Sequence, residues 1–188
     1  MSYNKHIDNV KRNATHKLYL LRKVRQNFPD AEATKILKTM ILPAIDYSDV
    51  VYMTAIKTHI NRLQQVVDGG VRTCIKNKGT INALKLRKVA KLNSLEERRD
   101  AHLLKKAFVV SLDADALDKR QIRTRVHDER LLKITRPKNP AYRKSLEYRV
   151  ATTWNKLEIS IRAIKDHGNF KKWIDKTLVD KLKLLPNI

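Results

Sequence analysis

The sequence contains only one cysteine, Cys74, so it can form no internal disulfide and no zinc finger that needs paired thiolates. It contains no apolar run close to the ~20 residues of a membrane-spanning helix. Its first residues also lack the apolar core of a signal peptide. These absences predict a soluble protein of a reducing, intracellular compartment, with no membrane partner.

Glycine is almost as scarce, with four residues, and none has the spacing of a phosphate-binding loop or a dinucleotide fingerprint. The six histidines include no HExxH pattern. Nucleotide hydrolysis and zinc-dependent proteolysis are therefore not expected. Cys74 falls at an inward position of a predicted helix, which favours a buried structural thiol over a nucleophile.

Acidic residues are outnumbered, with 19 Asp+Glu against 41 Lys+Arg, a net charge of +22 and a pI of about 10.2. This imbalance predicts a polyanionic partner. The hydrophobic content of 42% is too high for a disordered basic tail. A chain of 188 residues can also bury a real core.

With few glycines and five prolines, long stretches carry apolar residues at three- and four-residue spacing, which predicts an all-α fold. A first helix has an inward face formed by Ile7, Val10, Ala14, Leu18 and Leu21. Pro29 should end it. Asp30 is the expected N-cap of a second helix, which Pro43 should kink or end.

A third helix is predicted over residues 58–76, with Ile60, Leu63, Val67, Val71 and Cys74 inward. Its glycine pair, Gly69-Gly70, is compatible with a kink, a close helix contact or a helix end. Gly79 should close this three-helix unit. We therefore divide the chain into residues 1–79 and a basic helical region over residues 80–188.

The second region begins with Ser94 and Glu97 in the pattern of a capping box, which predicts a helix over residues 95–112. Residues 130–141 are basic and contain Pro137 and Pro140, so a short extended segment is expected there. Two helices should follow. Trp154 and Trp173 lie at apolar positions within them, which favours core packing over stacking on bases.

The outward face of the first helix combines cations with an aromatic ring, a pattern that suits phosphate contact and stacking. A solvated polar face is the competing interpretation. Basic loops around prolines contact the phosphate backbone of a nucleic acid and rarely recognise its base sequence. The predicted nucleic-acid-binding residues are Arg12, His16, Tyr19, Arg22, Lys23, Arg62, Arg72, Lys76, Arg136, Lys138, Arg143 and Lys144.

Asp46 and Asp49 are three residues apart and could chelate Mg²⁺ from one helix face, which would suit a metal-dependent nuclease. Two carboxylates alone make an incomplete site. Acids at this spacing are more often helix caps or partners of nearby Lys and Arg. We therefore predict no metal, no cofactor and no catalytic residue, and keep the nuclease as a minor alternative.

Several short motifs follow one another along the chain. In the first region they are His6-Ile7, Val10, Lys17-Leu18, Leu20-Leu21-Arg22, Leu42-Pro43, Asp46-Tyr47, Asp49-Val50-Val51-Tyr52, Leu63-Gln64 and Arg72. In the second region they are Leu95-Glu96-Glu97-Arg98-Arg99, Trp154-Asn155-Lys156-Leu157 and Phe170-Lys171. Together these motifs extend over nearly the whole chain, and their order resembles the helical thumb and the following region of reverse transcriptases from non-LTR (LINE-type) retrotransposons.

This resemblance implies a three-helix thumb over residues 1–79, a basic post-thumb region over residues 80–188 and contact with template RNA or an RNA–DNA duplex. It also implies a nuclear location. Two departures stand out, because Val67-Asp68-Gly69-Gly70 replaces the family's Gln-Asn-Arg-Ala and Glu158 replaces a proline.

No Asp-Asp pair of the polymerase motif occurs in the sequence, so the resemblance implies no polymerase activity for this chain alone. The alternative function is a helical protein-docking module. A thumb packs against a palm, and the surface that does so would then bind the polymerase portion or a second copy of the chain. Exposed apolar area distinguishes this hypothesis from nucleic-acid binding.

Overall fold

The structure is a computed structural model that describes residues 4–47, 49–52, 55, 57–76, 81–113, 130–134, 142–143 and 145–183. The helices are α1 (Asn4–Val24), α2 (Asp30–Ile36), α3 (Leu42–Asp46), α4 (Asp49–Tyr52), α5 (Lys57–Cys74), α6 (Ala83–Val89), α7 (Leu95–Ser111), α8 (Leu146–Asn155), α9 (Ile159–Arg162) and α10 (His167–Lys183). The described residues form no strand, and the predicted all-α class is confirmed.

Contacts group the chain into two units, Met1–Arg99 with Leu178–Ile188, and Asp100–Thr177. This grouping differs from a division after residue 79 because α6, which follows that point, packs against α5. The separate domain over residues 1–79 stays a prediction.

The core of the first unit begins with α1, whose predicted inward face is buried. A 3₁₀ turn, Arg25–Asn27, ends the helix before Pro29. Asp30 is the first residue of α2 and not its N-cap, since Pro29 occupies the capping position. The Asp30 carboxylate instead accepts a hydrogen bond from Arg25.

The second predicted helix continues past Pro43. Five residues of wider π-helix, Leu37–Ile41, separate α2 from α3. Pro43 then stands in the first turn of α3, directly after the π-helical residues, and the backbone before it stays in the right-handed helical region. The helical path ends at Asp46.

Helix α5 runs without a break through the glycine pair, which settles the alternatives left open by the sequence. A Cβ atom at Gly70 would lie 2.7 Å from Cδ1 of the buried Leu37. Gly70 therefore marks a close helix contact. Gly69 does not share this constraint, because a Cβ there would lie 3.6 Å from its nearest neighbour, a nitrogen of Arg22.

The start of α7 shows the predicted capping box. The backbone N–H of Glu97 donates to Ser94 Oγ at 3.2 Å, and that of Ser94 donates to Glu97 Oε2 at 2.8 Å. The N–H of Leu95 donates to the side chain of Gln64 on α5 at 2.8 Å. These bonds satisfy N–H groups that a helix start leaves without a partner.

The second unit has an aromatic core. Trp154 is fully buried, and the rings of Phe108 and Phe170 stack with centroids 4.6 Å apart. Trp154 has its ring centroid 5.7 Å from that of Phe170, which confirms the core-packing prediction. Trp173 is half-buried and its ring lies 5.5 Å from that of Phe170.

Candidate nucleic-acid interface

The first unit carries a row of exposed polar side chains along α1. Arg12, His16, Tyr19 and Lys23 fall within an arc of about 60° at 100° per residue, opposite the buried face. Lys5, which lies two turns before Arg12, extends the row and was not predicted. We call these five residues the α1 stripe.

Two contacts made by residues of the α1 stripe order its side chains. Arg12 Nη2 donates to Asn9 Oδ1 at 3.0 Å. Lys23 Nζ lies 4.9 Å from the ring centroid of Tyr19, a cation–π distance. Tyr19 is 51% exposed, so its ring remains accessible to a ligand.

A second outward row lies on α5 and the residues just after it. Arg62, Gln65, Gly69 and Arg72 fall within an arc of about 80° on α5, and Lys76 follows just after the end of the helix. Arg62 and Lys76 are exposed, and Arg72 is half-buried with an interaction of its own. Lys76 has a φ of 52°, which places it beyond the helical turn that ends at Cys74. We call this row the α5 stripe.

Arg22 connects the two helices at the edge of both stripes. Its Nε donates to Thr73 Oγ1 at 3.3 Å, and that hydroxyl donates in turn to Gly69 O at 2.8 Å. A Cβ atom at Gly69 would lie 3.6 Å from Arg22 Nη2, an ordinary contact distance. Eight of the predicted residues thus belong to the first unit, five on α1 and three on α5 or just after it.

The remaining predicted residues are not part of this cluster. Arg143 is an exposed residue of the second unit. Arg136, Lys138 and Lys144 lie outside the described residues, as does the predicted extended segment around Pro137 and Pro140.

Four exposed cations of the stripes lie outside the ion pairs seen between described residues of the first unit. Three such pairs are Arg25–Asp30, Arg87–Asp68 and Arg98–Asp46. Arg12, Lys23, Arg62 and Lys76 belong to none of them. With a net charge of +22 on the whole chain, these cations are available to an external anion.

Arg25 fixes the packing of α1 on α5, although the sequence analysis did not single it out. Its Nε donates to Thr73 O at 3.0 Å, and its other nitrogens donate to the carbonyls of Phe28 and Cys74. It thereby satisfies carbonyls that the end of α5 leaves open. The sequence signal for this role is that Arg25 continues the apolar row of Leu18 and Leu21 on the inward face of α1.

Asp46 and Asp49 serve as partners of other groups rather than as a cation site. Asp46 Oδ1 accepts a hydrogen bond from Arg98 Nη2 at 2.5 Å. Asp49 is buried and has its own interaction. Among the described residues no three metal-binding side chains come together.

Arg99, which follows Arg98 in the Glu-Glu-Arg-Arg motif, is buried. Arg99 is 3% exposed and lies 4.8 Å from the ring centroid of Tyr52. The Tyr52 hydroxyl donates to Ile45 O, and burial raises the pKa of this phenol above its usual value. Arg98 and Arg99 therefore stabilise the first unit and do not extend the stripes.

Cys74 is fully buried, and its thiol donates to Ala33 O at 3.2 Å. Burial raises the pKa of this thiol to about 11, so the thiolate is scarce at neutral pH. This agrees with the predicted structural role of the residue and not with that of a nucleophile.

No helix in the described part of the chain has both the length and the apolar character needed to span a bilayer. Comparison with protein-family models, with curated proteins and with solved structures gives no match for this chain.

Proposed function

We propose that this chain is a non-catalytic nucleic-acid-binding part of a non-LTR retrotransposon reverse transcriptase, derived from its thumb and post-thumb region. It contacts template RNA or an RNA–DNA duplex through phosphates. The sequence motifs carry the family assignment. The two stripes on α1 and α5 support the binding function.

The observation that carries the proposal is the junction at Arg22. This side chain contacts α5 at Thr73 while it extends from the helix that bears Arg12 and Lys23. Each of the two packed helices therefore presents a basic surface of its own, next to a contact that fixes their packing. Phosphate oxygens are the natural partners of such a surface, because arginine and lysine donate charge-assisted hydrogen bonds to them.

Tyr19 adds a different contact to this surface. Lys23 lies over its ring, and the rest of the exposed ring can stack on a base or sugar. Stacking tolerates every base, so we expect little sequence discrimination. The surface should favour nucleic acids with unpaired or accessible bases over simple polyanions.

The first test is fluorescence anisotropy of the full chain with single-stranded RNA, duplex DNA and an RNA–DNA hybrid of equal length. Neutralising about five phosphates predicts a log–log salt slope near −4.5 for a duplex. Tighter binding to RNA or the hybrid than to duplex DNA supports the thumb-derived interpretation. Affinity that does not change between about 50 and 200 mM salt contradicts it.

Charge-matched variants locate the contact. The double variant Arg12→Gln/Lys23→Gln removes two cations from the α1 stripe. Lys35→Gln/Lys181→Gln removes two exposed cations elsewhere in the first unit. We expect the stripe variant to reduce the slope by about 2 and the control to change it far less. Equal effects would mean that net charge alone determines binding.

Protein docking is the second candidate, and one observation favours it. Leu20 and Val24, one turn apart on α1, are 49% and 43% exposed. Such a row can pack against another protein, such as the polymerase portion. Sedimentation velocity in 1 M salt tests self-association, with Leu20→Gln/Val24→Gln as the disrupting variant. A monomer at every concentration counts against the self-associating form.

A further inference from the structure

The second unit contains a cleft of about 510 Å³ that is lined by α7, α8, residues 132–134 and Tyr142. Its floor is apolar and includes Val110, Leu132 and Val150. Its remaining lining includes two lysines, two tyrosines and one glutamate: Lys106, Lys133, Tyr142, Tyr148 and Glu147. The volume lies within the range of small-molecule sites.

The wall formed by residues 132–134 is held firmly against α8. The Asn155 side chain contacts both backbone groups of Leu132, accepting from its N–H and donating to its carbonyl, each at 2.9 Å. Trp154 Nε1 donates to Arg130 O at 2.6 Å. The cleft is therefore preformed and does not require its ligand to order this wall.

The two tyrosines are positioned by the start of α8. Ser145 Oγ accepts a hydrogen bond from the N–H of Tyr148 at 3.2 Å, and the Ser145 N–H donates to Tyr142 O at 2.9 Å. The two rings contact each other edge to face, with centroids 5.8 Å apart. This arrangement presents an aromatic surface to the cleft at little cost in side-chain entropy.

The charges of the lining indicate which ligand the cleft accepts. Lys106 on α7 and Lys133 on the opposite segment are exposed, and neither takes part in the ion pairs of the described residues. Glu147 on α8 disfavours an anion on its own side. An anionic group is therefore attracted to the two lysines, while a flat apolar group suits the floor and the tyrosines.

We propose that this cleft binds one unpaired nucleotide of a single-stranded nucleic acid. The base packs on the tyrosines and the apolar floor, and the phosphate contacts Lys106 and Lys133. Unpaired bases bind proteins by this combination of aromatic contact and phosphate pairing. The site belongs to the second unit and shares no residue with the α1 and α5 stripes of the first.

The test is a methyl NMR titration of the full chain with adenosine 5′-monophosphate up to about 10 mM, a range suited to a weak single-nucleotide site. We expect ring-current shifts at the methyl groups of Val110, Leu132 and Val150. Methyl groups of Ile7 and Leu63, in the core of the first unit, should not shift. Ribose 5-phosphate should bind at least fivefold more weakly, because it lacks the stacking base.

A pair of charge-matched variants tests the phosphate contact. Lys133→Glu should weaken nucleotide binding at least fivefold. Lys171→Glu, at an exposed position on α10 in the same unit, should change it less than twofold. Both lysines are exposed, so neither change should affect folding.

Three results would overturn the inference. They are no shift of the cleft methyl groups, equal shifts with ribose 5-phosphate and the nucleotide, and equal loss in the two variants. The stripe variant Arg12→Gln/Lys23→Gln separates this site from the proposed function. It should weaken binding to duplex DNA and leave the methyl shifts unchanged. Failure of one site is therefore distinguishable from failure of the other.

Discussion

Gly70 on α5 lies so close to Leu37 that a Cβ atom at the glycine would lie 2.7 Å from the leucine Cδ1. Leu37 is fully buried and begins the π-helical turn. The absence of one methyl group thus sets how closely α5 approaches the second helical segment. The neighbouring Gly69 has only ordinary contacts around it.

This difference predicts opposite effects for two adjacent substitutions. Gly70→Ala should destabilise the protein by about 1–3 kcal/mol, because the methyl group overpacks a buried contact. Gly69→Ala should stabilise it by up to about 1 kcal/mol through helix propensity. Urea unfolding followed by circular dichroism measures both. If Gly70→Ala were as stable as Gly69→Ala, the close contact would not constrain the fold.

We expect that substitution of Arg25 strongly destabilises the folded protein, although the residue is charged. Arg25→Met removes the side-chain donor to the buried Cys74 carbonyl and to the partly buried carbonyls of Phe28 and Thr73, of which Thr73 keeps the N–H of Lys76, and this loss should cost about 3 kcal/mol. The exposed Arg12→Met is the matched control and should change stability by less than about 0.5 kcal/mol. Thermal unfolding of the two variants measures the difference. Similar melting temperatures would contradict the assigned role.

Cys74 predicts a pH dependence of stability. Because its pKa in the folded protein is about 11 against an ordinary value of 9.0, the unfolded chain loses the thiol proton first as pH rises. The contribution of this thiol to the free energy of unfolding is complete below pH 9 and is lost as the pH rises towards 11. The free energy of unfolding should therefore fall more steeply over this range in the wild type than in Cys74→Ala. Parallel profiles would rule out this contribution.

The burial of Cys74 also predicts slow chemical modification. Iodoacetamide at pH 8 should label the native protein far more slowly than the unfolded chain in urea, because reagent and thiolate can meet only after opening. Mass spectrometry over time measures the labelling. Equal rates in the two conditions would show that the thiol is accessible.

The hydrogen bonds of Asn155 to Leu132 predict that this side chain stabilises the second unit. Asn155→Ala removes both hydrogen bonds to the Leu132 backbone, which should cost about 1–3 kcal/mol. Asn13→Ala, at an exposed position on α1, is the control and should have little effect. Hydrogen exchange at the Leu132 amide gives the direct measurement. An unchanged exchange rate in Asn155→Ala would contradict the contact.

Much of the local structure could be predicted from neighbouring residues. The apolar spacing of α1 predicted its buried face, and Ser94 with Glu97 predicted the start of α7. The α1 stripe followed from the same periodicity, since residues on one side of a helix are three or four apart. Lys5 was missed, although the same periodicity places it on the stripe.

The prediction was wrong at Asp30 and left Gly69-Gly70 open, for related reasons. Asp30 has the residue type of an N-cap, but its partner is Arg25, whose position depends on how the chain turns. The role of Gly70 depends on Leu37, 33 residues earlier in the sequence. A local pattern contains no information about such a neighbour.

The sequence by itself therefore determined the helical class, the basic charge and the outward row of cations on α1. Only the tertiary structure decided that Arg25 and Arg99 are buried, that Arg98 pairs with Asp46 and that Arg22 reaches Thr73. Their exposure depends on the packing of helices about 50 residues apart, because a guanidinium is buried only where carbonyls, carboxylates or rings from another helix can partner it.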